Sequence, residues 1–166
     1  MRFGAIDIPD RLLSAQDENR LVVFAGAGVS RAAGLPLFRQ LVDECEKHFT
    51  GQIAASKKVP EDVRLGGLKQ RGHDVHRYVS ERFICAQLPT ELHRLLLRLF
   101  RQRGAPKVVT TNFDTLFTTA ADSVGIAQMP IYHAPALPVG NRFEGLVYLH
   151  GCVSRAPEDL VLTDSD

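Results

Sequence analysis

Arg20-Leu21-Val22-Val23-Phe24-Ala25-Gly26-Ala27-Gly28-Val29-Ser30 decides the fold. Its first part, residues 20–25, is apolar and rich in β-formers, which predicts a strand buried on both faces. The strand runs directly into Gly26-Ala27-Gly28 and then into a helix-like stretch. Pro36 splits that stretch and leaves a second helix from about Phe38 to His48, with Leu41, Val42 and Cys45 on one face. A strand feeding a helix through a glycine-rich turn aims several backbone N–H groups at one point. Glycine allows close approach and the helix dipole favours an anion, so a pyrophosphate fits there. The spacing departs from G-x-G-x-x-G, because position 31 is Arg and the next glycine is Gly34. Read alone, the motif also serves as a tight strand-to-helix turn.

Working outward, Lys107-Val108-Val109-Thr110-Thr111 predicts a second strand, Gln128 to Tyr132 a third and Gly145 to Leu149 a fourth. Leu160-Val161-Leu162-Thr163 is a candidate for one more. Asn112-Phe113-Asp114 opens a helix that continues to about Ser123, with Leu116, Phe117 and Ala120 on its buried side. Upstream, Pro9 and Asp10 open a short helix to about Gln16. Residues 50–105 carry two helical patterns, Val75 to Gln87 and Thr90 to Gln102, with Thr90 as N-cap of the second. In the latter, Leu92, Leu95, Leu96, Leu99 and Phe100 follow a helical repeat and form its expected packing face. Alternating strands and helices predict an α/β domain with a mainly parallel sheet and a helical insert, 50–105, after the first strand.

Two further clusters sit at strand ends, where an open α/β sheet presents ligand contacts. Thr110-Thr111-Asn112-Phe113-Asp114 follows the second strand, although Asn112 is also a good N-cap and Asp114 a good first-turn acid. His150-Gly151 closes the fourth strand. An imidazole there suits a general base near neutral pH, with the glycine keeping the approach open, and suits a merely structural histidine as well.

Composition limits the partners. Twenty Lys and Arg balance nineteen Asp and Glu in 166 residues, which gives no basic field for nucleic acid. The Arg94, Arg98, Arg101 and Arg103 cluster reads as a solvated helix face. The longest apolar run, Leu21 to Val29, is roughly half of the ~20 residues a membrane-spanning helix needs. Cys45, Cys85 and Cys152 form no C-x-x-C pair, so no metal site is expected and a cytoplasmic location is the default. His48, His73, His76, His93 and His133 share no ligand spacing and read as surface or local partners.

Taken in order, the three clusters resemble one family. Gly26-Ala27-Gly28-Val29-Ser30 with Gly34-Leu35-Pro36-Leu37-Phe38-Arg39 resembles the sirtuin cofactor loop G-A-G-x-S-x-x-x-G-x-P-x-F-R. Thr110 to Asp114 is similar to T-x-N-x-D, and His150-Gly151 falls where the family has its catalytic His-Gly. The resemblance implies a Rossmann-like sheet and NAD+ as substrate. It implies Gly26, Ala27, Gly28 and Ser30 at the pyrophosphate, with Pro36, Phe38 and Arg39 on a loop over the nicotinamide ribose. Thr110, Asn112 and Asp114 would complete the cofactor contacts, with Asn112, Asp114 and His150 as catalytic groups. Only Cys152 stands where deacylases carry two zinc-binding pairs. The double Thr, the 50–105 insert and the closing Leu-Val-Leu-Thr-Asp resemble zinc-free bacterial SIR2-like effectors of anti-phage defence, which deplete NAD+.

That resemblance makes NAD+ hydrolysis to nicotinamide and ADP-ribose the leading expectation. A non-catalytic sensor of NAD+ or an ADP-ribose-type nucleotide, and a sirtuin-type protein deacylase, stand as alternatives. Residues 1–166 are expected to hold only about the N-terminal half of such a sheet, as the leading part of a longer chain. Pairing with further domains or in a homo-oligomer follows from that expectation.

Overall fold

The computed structural model describes residues 2–53, 59–84, 88–100, 104–138 and 143–166. A small antiparallel hairpin, β1 (Arg2–Phe3) and β2 (Ile6–Asp7), leads into helix α1 (Asp10–Asp17). Strand β3 (Val23–Ala25) then runs into a 3-10 helix over Ala27–Ala33. Helices α2 (Phe38–Thr50), α3 (Glu61–Gln70), α4 (Val75–Ile84) and α5 (Glu91–Arg98) precede β4 (Lys107–Thr110). After β4 come α6 (Leu116–Ser123), β5 (Ile131–His133), β6 (Gly145–Tyr148) and a 3-10 turn over Pro157–Asp159.

The four strands β3, β4, β6 and β5 lie in that spatial order and are parallel throughout, with Val23 opposite Val108 and Val108 opposite Leu146. The fold is therefore mixed α/β with a Rossmann-like parallel sheet. Strand β6 is buried along its whole length, as a central strand with helices on both sides must be. Strand β3 is different. It forms the sheet edge and leaves Phe24 67% exposed, so the expected burial on both faces fails where no further strand covers it.

Two apolar clusters hold the layers together. Leu97, Phe100, Val108, Phe117, Ala120, Leu146 and Tyr148 pack α5 and α6 on the sheet. Leu41, Val42, Cys45, Leu65, Leu68, Val75, Val79 and Phe83 join α2, α3 and α4 to Phe113, Leu160 and Leu162. Burial of each such leucine contributes about 1.5–3 kcal/mol. Between α2 and α3, Arg64 Nε donates to Glu46 Oε1 (3.0 Å) and Arg64 Nη2 to Glu46 Oε2 (2.7 Å) and Asp43 Oδ1 (2.6 Å).

Several expectations need correcting. The packing face of α5 is His93, Leu97 and Phe100; Leu92, Leu95 and Leu99 are exposed. Helix α3 contains Gly66-Gly67, poor helix formers, and holds because Arg64, Leu65 and Leu68 are buried. Leu160–Thr163 pairs with no strand; its Val161 N–H donates to the His150 carbonyl, 2.9 Å away, as an irregular segment. The stretches expected to extend α4 to Gln87 and α5 to Gln102 end in residues outside those described, as do Cys85, Arg101 and Arg103. Among the described residues, no helix is long and apolar enough to cross a membrane, and no group of three His, Cys, Asp or Glu side chains surrounds a common point.

Candidate functional site

Strands β3, β4 and β6 end side by side, and the segment after each turns toward one cavity of about 400 Å³. Ala27 and Ser30 come from the segment after β3, Thr111 to Asp114 from that after β4, and His150 from that after β6. Pro36 and Phe38 come from the entry to α2, Asp62 from α3, Phe83 from α4, and Val161 to Asp164 from the closing segment. This is the carboxyl edge of a parallel sheet, the usual place for a ligand in such folds.

Backbone pairing sets the β4 cluster. Thr110 Oγ1 donates to the Ala25 carbonyl (3.0 Å) and accepts from the Asn112 N–H (3.1 Å), tying β3, β4 and the turn together. Thr110 is thus spent inside the sheet, and the neighbouring Thr111 faces the cavity instead. The Asp114 carboxylate accepts the Leu116 N–H at Oδ1 (3.0 Å) and the Ser30 hydroxyl at Oδ2 (2.7 Å). Tyr148 Oη donates to the Asp114 carbonyl from β6 (3.1 Å). Three strand ends are locked around one acid.

Ser30 is the hub. Besides giving its proton to Asp114, its oxygen accepts from Asn112 Nδ2 (3.0 Å) and lies 3.3 Å from His93 Nε2. Asn112 is 5% exposed, and its Oδ1 is buried without a hydrogen-bond partner among the described residues. A buried acceptor left unpaired costs about 1–3 kcal/mol unless a ligand or water meets it. That orphan oxygen belongs to a residue that lines the cavity.

The cavity wall is otherwise apolar, with Leu35, Pro36, Phe38, Leu41, Phe83 and Phe113, and its charged members are Asp62, Asp114 and Asp164. Such a wall suits a planar, positively charged ring. The closing segment is pinned from behind by Asp166. Its carboxylate accepts the Leu162 N–H (3.0 Å), the Thr163 N–H (2.8 Å) and a Lys69 N–H. Burial alone would raise its pKa, but the Lys69 ammonium and these N–H groups outweigh burial and hold it at about 2.

The candidate residues divide accordingly. Ala27, Ser30, Pro36, Phe38, Asn112, Asp114 and His150 meet at the cavity. Gly26, Gly28 and Thr110 do not line it, and Arg39 turns to Glu61 at 3.2 Å on the surface. The segment after Gly26 is a 3-10 helix, so the expected α-helix dipole is weaker there. Gly151 serves packing: its φ is +83° and a Cβ would stand 2.3 Å from the Asp159 carbonyl oxygen. His93, expected at the surface, is fully buried and edge-on to Phe117 at 4.8 Å. Thr90 to His93 is a signal for it, since a capping residue three positions ahead turns that side chain back into the helix start.

Residues 106–166, which hold β4, α6, β5, β6 and the His150 segment, match the SIR2-like domain family. An uncharacterized protein of Sinorhizobium fredii, y4cA, is 34% identical over 160 residues, covering 87% of this chain and 13% of that protein. NAD-dependent protein deacetylase 1 of Bradyrhizobium diazoefficiens is 28% identical over 117 residues, covering 70% of this chain and 42% of that one. The chain thus spans less than half the length of either relative. Over residues 106–166 the chain is SIR2-like, and that match takes in Asn112, Asp114 and His150 of the cavity wall, with Ala27, Ser30, Pro36 and Phe38 outside it.

Proposed function

We propose that this chain is the NAD-binding part of an NAD+ hydrolase, cleaving the nicotinamide–ribose bond to give nicotinamide and ADP-ribose. The observation that carries the reading is the unpaired, buried Asn112 Oδ1 beside Asp114 and His150 on one cavity wall. An acceptor there receives a hydroxyl or a water, which are the groups an N-glycoside hydrolysis must orient.

The phenylalanines and carboxylates of the wall take the nicotinamide end, whose pyridinium ring is planar and cationic. Loss of nicotinamide leaves positive charge on the ribose, and the fixed Asp114 carboxylate and Asn112 carbonyl oppose that charge. The attacking water adds its oxygen to the ribose carbon, and His150 takes the released proton. Ala27 and Ser30 face the phosphates, and Pro36 and Phe38 cover the ribose.

Residues 1–166 act in this reading as one unit with 50–105 inserted in it. A role as a cytoplasmic bacterial defence effector, assembled with further copies or further domains, belongs to the same proposal. The relative named as a deacetylase favours a second reading, in which an acyl-lysine replaces water as the acceptor. Incubation with NAD+ and product analysis separates them: free ADP-ribose without a peptide supports hydrolysis, and dependence on an acylated peptide supports the second reading.

A further inference from the structure

The hydrogen bonds around Ser30 have a direction that reaches Asn112, and they begin at a residue outside the cavity. The Thr90 backbone N–H donates to His93 Nδ1 at 3.2 Å, and the Thr90 hydroxyl, 2.7 Å from the same nitrogen, then donates to it as well. A ring nitrogen that accepts an N–H carries no proton, so the neutral ring of His93 holds its hydrogen on Nε2. Nε2 faces Ser30 Oγ at 3.3 Å and therefore donates to it. The Ser30 proton is committed to Asp114 Oδ2 at 2.7 Å. Ser30 then has one lone pair left, and Asn112 fills it only with its NH2 end. With the amide fixed that way round, its NH2 end is held by Ser30 and its oxygen is left without a partner among the described residues, on a residue that lines the cavity.

We propose that His93 is a positioning residue for the candidate site: its Nε2–H, passed through Ser30, fixes the Asn112 side-chain amide with its oxygen toward the ligand. The proposal deepens the hydrolase reading and rests on it for the turnover it affects. Burial lowers the His93 pKa, with Arg94 adding to the effect against the pull of Asp114, and so favours the neutral ring the relay needs.

The test has two arms. In the first, long-range 1H–15N spectra of the whole chain report the His93 tautomer and the Asn112 side-chain NH2. The expected result is a neutral ring protonated on Nε2 at neutral pH, and Asn112 NH2 signals that shift in His93→Phe and recover in His93→Gln. A ring protonated on Nδ1, or Asn112 signals indifferent to both substitutions, overturns the proposal. This arm needs no turnover, so it stands even if NAD+ is not cleaved, and the wild-type tautomer is readable even if His93→Phe does not fold.

In the second arm, NAD+ cleavage is followed in the same variants. His93→Phe, which keeps the ring volume beside Phe117, is expected to lower kcat roughly tenfold or more with KM within about twofold, and His93→Gln to recover most of it. Equal kcat in His93→Phe and His93→Gln overturns the proposal. No cleavage by wild type under the conditions of the first arm counts against the hydrolase reading alone.

Discussion

Ser30 Oγ donates to Asp114 Oδ2 across 2.7 Å, joining the segment after β3 to the segment after β4 over 84 positions of sequence. Both residues are at most 3% exposed. The bond closes the two strand ends against each other, so the wall of the cavity and the packing of the sheet edge depend on the same hydroxyl. Ser30→Ala leaves Asp114 Oδ2, Asn112 Nδ2 and His93 Nε2 without this partner inside the protein. The expected loss of stability is about 3 kcal/mol, measured as a lowered urea midpoint with an unchanged slope.

His150 stands at the other extreme. Its side chain is exposed, and its contribution to the fold runs through its carbonyl, which accepts the Val161 N–H. His150→Ala is expected to change stability by no more than ~0.5 kcal/mol and to lower kcat for NAD+ cleavage by about 10²–10⁴. Paired thermal melts and product assays check it. Retained turnover would move the proton transfer to another group.

The burial of neutral His93 sets a pH dependence. Its folded pKa lies below the ordinary 6.5, so the unfolded chain binds the proton more readily. Its contribution is complete above pH 6.5 and is lost as pH falls from there toward the folded value. His93→Gln removes the titration, and the difference in stability between wild type and this variant is expected to narrow as the pH is lowered. His133, also lowered by burial and then by Arg155, is common to both proteins and cancels in the comparison. A pH-independent difference would show that His93 does not titrate with unfolding.

Much of the sheet was legible because strand signals and turn chemistry agreed. Residues 107–110, 145–148 and 23–25 are apolar runs ended by Thr, Gly or His, and they form the parallel core where expected. Phe24 misled because sequence cannot say which strand is the edge. Helix α3 was hidden by Gly66-Gly67, whose low propensity is overridden by Leu65 and Leu68 packing beneath. In the site, Asn112, Asp114, Ser30 and His150 follow from motif order. His93 does not, since a lone histidine becomes a buried donor only when α5 brings it against the segment after β3, and Arg39 fails because Glu61 on α3 draws it away.

The Arg64–Glu46 pair gives a prediction about the insert. Both side chains are under a tenth exposed and the pair is bidentate, linking α2 to α3 behind the cavity. Arg64→Met alone is expected to cost about 3–5 kcal/mol, and Arg64→Met with Glu46→Leu clearly less, because breaking one partner leaves the other charge poorly compensated. A double-mutant cycle in urea measures the coupling. Additive effects would mean the pair contributes no specific link.

The central claim is that Asn112, Asp114 and His150 form the centre of an NAD+-cleaving site. The most direct measurement is nicotinamide and ADP-ribose release from NAD+ by the natural full-length polypeptide, beside Asn112→Ala in the same background. The account predicts stoichiometric nicotinamide and ADP-ribose from the wild type and a loss of at least ~100-fold in Asn112→Ala, with the fold retained by circular dichroism. Undiminished cleavage in Asn112→Ala, or NAD+ bound without cleavage by the wild type, would contradict it.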